Sequence, residues 1–153
     1  MSTYLIKDVE LVNGEKVDIG IVDGFISELS KKTVNTYEKQ LDGSGCIALP
    51  GLVDLHTHLR EPGREDAETV LTGTRAAARG GYTAVFAMAN TDPVADTAGV
   101  VEQVVRLGNE AGWCEVFAVG AVTKVLAGES MAELGAMAHS AAQVRVFSDD
   151  GNV

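Results

Sequence analysis

Two histidines separated by one residue, His56 and His58, follow a short apolar run that begins after Pro50-Gly51. Side chains two positions apart on a β-strand point to the same face, so both imidazoles can share one metal ion. The run is too short for a normal helix and leads into a loop containing Glu61-Pro-Gly63, which favours a strand. Imidazole pairs at strand ends are common metal ligands. We therefore interpret the pair as metal ligands rather than as polar residues that close a surface strand.

Charged residues flank the two histidines on both sides. Asp54 lies two residues before His56 on the same face, where it could orient an imidazole from outside the metal's own shell of ligands. Arg60 and Arg64 follow in the loop. Because the chain has 12 Lys+Arg against 22 Asp+Glu, a formal net charge of −10, an anionic substrate would need such a local cationic cluster.

Composition limits the class of protein. The 153 residues suffice for an ordinary core, and 46% of them are hydrophobic, with a mean hydropathy of +0.10. The acidic balance argues against nucleic acid or an anionic membrane as the main partner. No apolar run is long enough to cross a bilayer, and the first residues do not resemble a signal peptide, so we expect a cytoplasmic location. Cys46 and Cys114 are interpreted as two buried free thiols.

Residues 1–49 predict a small β module. Strands are expected over 4–12, 17–22 and 25–29, because Asn13-Gly14 and Asp23-Gly24 are strong hairpin turns. A further strand is expected over 40–49, interrupted by two glycines. With so few strands, this module should need additional strands from elsewhere to close its core.

Residues 50–153 alternate between strand and helix patterns. Strands are predicted over 52–58, 82–89, 114–122 and 144–147, and helices over 66–79, 97–111 and 131–142. This alternation implies a parallel sheet covered by helices, either an open doubly wound sheet or a (β/α)₈ barrel. Polar residues recur after several strands, as a barrel active site requires. Since such a barrel takes about 250 residues, four βα steps correspond to its first half.

Four motifs together resemble the type I (long, bacterial) dihydroorotases of the amidohydrolase superfamily. They are Asp54-x-His56-x-His58, the Arg60-Glu-Pro-Gly63 loop, Met88-Ala-Asn90-Thr-Asp-Pro93 and Phe147-Ser-Asp-Asp-Gly151. The resemblance runs the length of the chain. It implies the first half of a TIM-type barrel preceded by a small β-sandwich module, with this chain as the N-terminal part of the enzyme.

The resemblance also implies roles for individual residues. His56 and His58 would bind one metal of a zinc pair, and Arg60 and Asn90 would hold the substrate's carboxylate. An aspartate at the end of the fourth strand would be a further metal ligand, and the resemblance favours Asp150. Strand alternation leaves the choice between Asp149 and Asp150 open, and Asp149 could instead cap a helix, form a turn or support the ligands from a second layer.

The activity implied is the reversible, zinc-dependent cyclisation of N-carbamoyl-L-aspartate to L-dihydroorotate in pyrimidine synthesis. The general acid/base, an aspartate, and two further histidine ligands would lie beyond Val153, so this chain alone is expected to be inactive. Alternatives are a hydantoinase-type or allantoinase-type cyclic amidase, or a non-catalytic scaffold for aspartate carbamoyltransferase. A homo-oligomer is expected, with aspartate carbamoyltransferase as a candidate partner.

Overall fold

Two glycine-containing turns fold the first part of the chain back on itself. The computed structural model describes residues 2–151 and divides the chain into two compact units, one up to Pro50 and one from Gly51. In the first unit, β1 (Thr3–Leu11), β2 (Lys16–Val22) and β3 (Phe25–Ser30) form an antiparallel meander. The short strands β4 (Lys39–Asp42) and β5 (Ile47–Ala48) both pair with β1 in parallel.

A small apolar cluster and a polar network hold the first unit together. Val9, Val17 and Ile19 are buried at its centre. The Glu28 carboxylate accepts hydrogen bonds from the side chains of Asn35, Thr33, Ser30 and Tyr37. These donors, of which Asn35 has the largest effect, stabilise the charged carboxylate and lower the pKa of Glu28 to about 2.

The second unit is a parallel sheet with helices between its strands. Its strands are β6 (Leu52–Thr57), β7 (Tyr82–Ala87), β8 (Glu115–Gly120) and β9 (Val146–Phe147). Its helices are α1 (Val70–Arg79), α2 (Ala98–Ala111) and α3 (Leu134–His139), with a 3-10 turn at Lys124–Leu126. The sheet order is β6-β7-β8-β9. A doubly wound sheet reverses its strand order at a switch point. The sequential order of these four strands has no such reversal, as in a barrel.

The core of the second unit lies between its sheet and its helices. Val85 and Val116 from the strands pack with Val101 and Val104 from α2, and all four are at most 6% exposed. The approach is closest at Gly108, where an added Cβ would lie 2.4 Å from the Val116 Cβ. On the alternate strand positions, Phe86 and Phe117 stack with ring centroids 5.0 Å apart, and Phe117 is 41% exposed. The helices therefore cover one face of the sheet.

Several element boundaries differ from the prediction. Helix α1 begins at Val70 rather than residue 66, because the Thr69 hydroxyl caps it by accepting the Thr72 N–H. Helix α3 is shorter than 131–142, since Met131 pairs with Thr123 in an isolated β-bridge. The predicted strand 40–49 is two strands separated by a turn around its glycines.

The prediction of two buried thiols was wrong for Cys46. That residue lies in the turn before β5 and is exposed. Cys114 is partly buried, and this burial raises the pKa of its thiol. Within residues 2–151, none of the helices combines the length and the apolar character that crossing a membrane would require.

Candidate metal centre

His56, His58 and Asp150 lie together at the carboxyl end of the parallel sheet. One possible ligand atom from each of the three lies within 4.8 Å of the others. His56 Nε2 is 3.0 Å from Asp150 Oδ1, and the two imidazole rings meet edge to face with centroids 5.1 Å apart. The structure therefore brings together the residues that sequence reasoning named as metal ligands.

The contact between His56 and Asp150 joins the two outer strands of the sheet. His56 belongs to β6, and Asp150 follows β9, three strands away. In a flat sheet, three spacings of about 4.8 Å would separate these strands by about 14 Å. Side chains from the two strands meet at 3.0 Å because the sheet curls. Such curvature is the geometry of half a barrel, with the site inside its carboxyl end.

The donor set fits a divalent metal. Two imidazoles and one carboxylate are ligands that zinc takes in catalytic sites. Ligand atoms about 2.0 to 2.1 Å from a tetrahedral zinc lie about 3.3 Å apart, close to the 3.0 Å between His56 Nε2 and Asp150 Oδ1. The side chain of Asp150 is 19% exposed and that of His56 is 57% exposed, so Asp150 is the more buried of the two.

Asn90 connects His58 to Asp150. It follows β7, and its Nδ2 donates to Asp150 Oδ2 at 2.8 Å, while its Oδ1 is 3.0 Å from His58 Nδ1. A carboxylate only accepts hydrogen bonds, so the amide nitrogen must face Asp150 and the amide oxygen must face His58. His58 Nδ1 therefore carries the proton, which leaves the lone pair on Nε2 for a metal. Asn90 was expected at the substrate, and this link to both ligands was missed.

Asp149 is hydrogen-bonded to the loop after β8. Its Oδ1 accepts the backbone N–H groups of Val122 and Thr123 at 2.8 and 2.9 Å, and its Oδ2 accepts the Thr123 hydroxyl at 2.6 Å. Desolvation raises the pKa of Asp149, but the hydrogen bonds from Thr123 and Val122 outweigh it and lower the pKa overall. Thr123 was also missed by sequence reasoning, although it follows the third strand of the sheet, where functional residues of barrels collect.

Asp54 and Arg60 flank the cluster in β6 and its following loop. Asp54 Oδ1 accepts the backbone N–H of His56 at 3.0 Å, so it contacts the strand rather than an imidazole. Arg60 has a left-handed backbone, with φ of 62°. Among residues 2–151, its guanidinium makes no hydrogen bond or ion pair. This half-buried cation is therefore free to bind an anion.

The loops after β6 and β7 are fixed to their surroundings. Glu61 Oε2 accepts the N–H of Val70 at 2.7 Å, which satisfies a free donor at the start of α1. The N–H of Asp92 donates to the carbonyl of Pro62 at 3.0 Å. Gly63, with φ of 97°, passes so close that an added Cβ would lie 2.0 Å from the Asp92 carbonyl oxygen. Only glycine fits at this position.

Comparisons with a family model and with curated proteins point to the same family. Residues 45–152 match the family model described as "Dihydro-orotase-like". The chain is 60% identical over 152 residues to a dihydroorotase of Streptomyces coelicolor, covering 99% of this chain and 35% of that protein. It is 53% identical over 139 residues to a dihydroorotase of Mycobacterium tuberculosis, covering 90% of this chain and 32% of that protein. The chain thus spans about a third of the length of the curated relatives it matches.

Solved structures show the same fold. An L-hydantoinase from Arthrobacter aurescens superimposes with a TM-score of 0.69 at 23% identity, covering 82% of this chain and 29% of that one. A dihydroorotase structure gives a TM-score of 0.54 at 17% identity, covering 82% of this chain and 32% of that one. With the curled parallel sheet, these similarities confirm the predicted α/β fold class, the first half of a TIM-type barrel preceded by a β module.

Proposed function

This chain belongs to the dihydro-orotase-like family, and on that premise we propose that the protein is a dihydroorotase. It would interconvert N-carbamoyl-L-aspartate and L-dihydroorotate in de novo pyrimidine biosynthesis. The support is the convergence of His56, His58 and Asp150 in a chain 60% identical to a protein named dihydroorotase. Because the chain covers 35% of that relative, the activity is proposed for a protein of the relative's full length.

The metal proposed for this site is zinc, in a binuclear centre to which this chain contributes His56, His58 and Asp150. A bound metal supplies a Lewis acid that polarises the amide carbonyl and lowers the pKa of water. The protein's own task is to hold the three ligands in place. Asn90 does this for His58 and Asp150, and Asp54 does it for the His56 backbone.

Substrate binding is proposed for Arg60 and Asn90. The proposed substrate and product both carry a carboxylate, and an unpaired guanidinium can bind a carboxylate with two parallel hydrogen bonds. The Asn90 amide has two N–H groups, of which one donates to Asp150, so the other remains for the substrate. This local attraction is needed because the chain carries a net charge of −10.

The domain assignment belongs to the same proposal. Residues 1–49 would be a β module completed by further strands, and residues 50–153 would be the first four βα steps of the hydrolase barrel. The cytoplasmic location, a homo-oligomeric state and an interaction with aspartate carbamoyltransferase stay predictions. The names of the relatives support dihydroorotase activity over the hydantoinase and scaffold alternatives.

The test is hydrolysis of dihydroorotate by the complete, zinc-loaded protein, compared with hydantoin and allantoin as substrates. We expect activity on dihydroorotate alone and a rate reduced to background in His56→Ala. His139→Ala is the matched control, because His139 is exposed and its Nδ1 is hydrogen-bonded to the Gly135 carbonyl of its own helix. Retained activity in His56→Ala would contradict the proposal, and preference for hydantoin or allantoin would replace dihydroorotase with that activity.

A further inference from the structure

The turn that carries Asp150 has an unusual backbone. Asp150 has φ of 54°, in the left-handed region that few residues other than glycine adopt. This conformation comes directly after β9 and turns the Asp150 carboxylate to His56 at 3.0 Å. A strained turn keeps its conformation only when neighbouring groups fix it. The groups that fix this turn therefore determine where Asp150 points.

The turn is attached to the end of the neighbouring strand β8. The Ser148 N–H donates to the Gly120 carbonyl at 3.0 Å, and the Asp150 N–H donates to the Ser148 hydroxyl at 3.1 Å. Asp149, which lies between Ser148 and Asp150 in the chain, accepts three hydrogen bonds from Val122 and Thr123. The shortest of these is the bond from the Thr123 hydroxyl, at 2.6 Å. Asp149 thus attaches the turn to the loop after β8.

We propose that Thr123 is a positioning residue for the metal site. Through Asp149, its hydroxyl holds the turn that directs Asp150 at His56 and His58, although Thr123 is not itself in the ligand cluster. The inference rests on the proposed function, because it assumes that the cluster binds zinc. Partners that orient a ligand from outside the first shell typically change metal affinity by about 10- to 100-fold.

The experiment measures zinc affinity of the complete protein by competition with a chromophoric chelator. Thr123→Val removes the hydroxyl with little change in shape, and we expect it to weaken zinc binding about 10- to 100-fold. Thr123→Ser restores the hydroxyl and should restore affinity. Thr83→Val is the matched control, since the bond it removes, from the Thr83 hydroxyl to the Leu52 carbonyl, is exposed and lies near the start of β7.

A second pair of variants keeps the test independent of the folding of Thr123→Val. Asp149→Asn retains an oxygen for the two backbone N–H groups, so zinc binding should be weakened but measurable. Asp150→Asn should bind zinc far more weakly than Asp149→Asn. Equal loss in the two variants would make Asp149 a ligand and overturn the proposal, as would unchanged affinity in Thr123→Val. A wild-type protein that binds no zinc would overturn the proposed function as well.

Discussion

At the scale of single residues, the site depends on side chains that each satisfy more than one partner. Asp150 uses one oxygen for His56 and the other for Asn90, while Asn90 also faces His58. Asp150 accepts from the Asn90 amide nitrogen, which turns the amide oxygen to His58, and this oxygen in turn places the proton of His58 on Nδ1. Loss of any member leaves a polar group near the candidate metal site without its partner, which costs more than one average hydrogen bond.

Replacement of Asn90 by leucine tests this dependence. Asn90→Leu has a similar size but leaves the His58 Nδ1–H and one Asp150 oxygen without their partner. We expect zinc affinity of the complete protein to fall about 10- to 100-fold, measured by chelator competition. Asn109→Leu, an exposed asparagine on α2, should leave affinity unchanged. Equal affinities in wild type and Asn90→Leu would show that Asn90 does not orient the ligands.

Sequence reasoning reached the ligand types but not these contacts. The period of two along β6 places His56 and His58 on one face, so the residue order alone predicts that the two imidazoles lie together. Alternation stops at a strand end, so it leaves Asp149 and Asp150 equivalent. The left-handed turn at Asp150 and donors 26 and 27 residues earlier in the chain separate their orientations. Such long-range contacts have no local signal.

At the scale of secondary-structure elements, the loops after β6 and β7 act as one unit. The backbone of Gly63 lies against the carbonyl of Asp92, and Pro62 accepts the Asp92 N–H. These loops follow directly from His58 and Asn90, which they hold at the carboxyl end of the sheet. Local patterns predicted the loop after β6 from Pro62 and Gly63 but could not predict that it touches the loop after β7.

Gly63→Ala should separate the two loops. A left-handed alanine costs about 1 to 2 kcal/mol, and the added Cβ would also meet the Asp92 oxygen at 2.0 Å. Gly112→Ala is the control, because Gly112 also has positive φ, at 66°, but its Cβ would find its nearest atom 3.9 Å away. In urea unfolding, we expect Gly63→Ala to lose clearly more stability than Gly112→Ala. Equal losses would mean that the contact between the loops is dispensable.

At the scale of the second unit as a whole, the candidate metal site links the first strand of the parallel sheet to the last. His56 is in β6 and Asp150 follows β9, so a bound ion would hold the curl of the sheet. The βα alternation of the sequence predicted a parallel sheet covered by helices, and the structure supplies its sequential strand order. The alternation did not predict the curvature, because curvature arises from the twist and packing of all four strands together.

Zinc should therefore stabilise the fold. A ligand at 100 times its dissociation constant stabilises the native state by about 2.7 kcal/mol when it does not bind the unfolded chain. We expect zinc to raise the Tm of the wild-type protein by several degrees, and a chelator to reverse the increase, as measured by differential scanning calorimetry. Asp150→Asn should show little or no increase. A wild-type Tm insensitive to zinc would contradict a structural link through the site.

The contact between Gly63 and Asp92 also bears on how this scaffold can change. Surface loops of barrels commonly accept insertions and deletions, which is how one architecture acquires new specificities. Here a backbone-to-backbone approach joins two successive loops beside the site. Lengthening either loop would displace the other, so substrate range at this corner has to evolve, or be engineered, by paired changes in both.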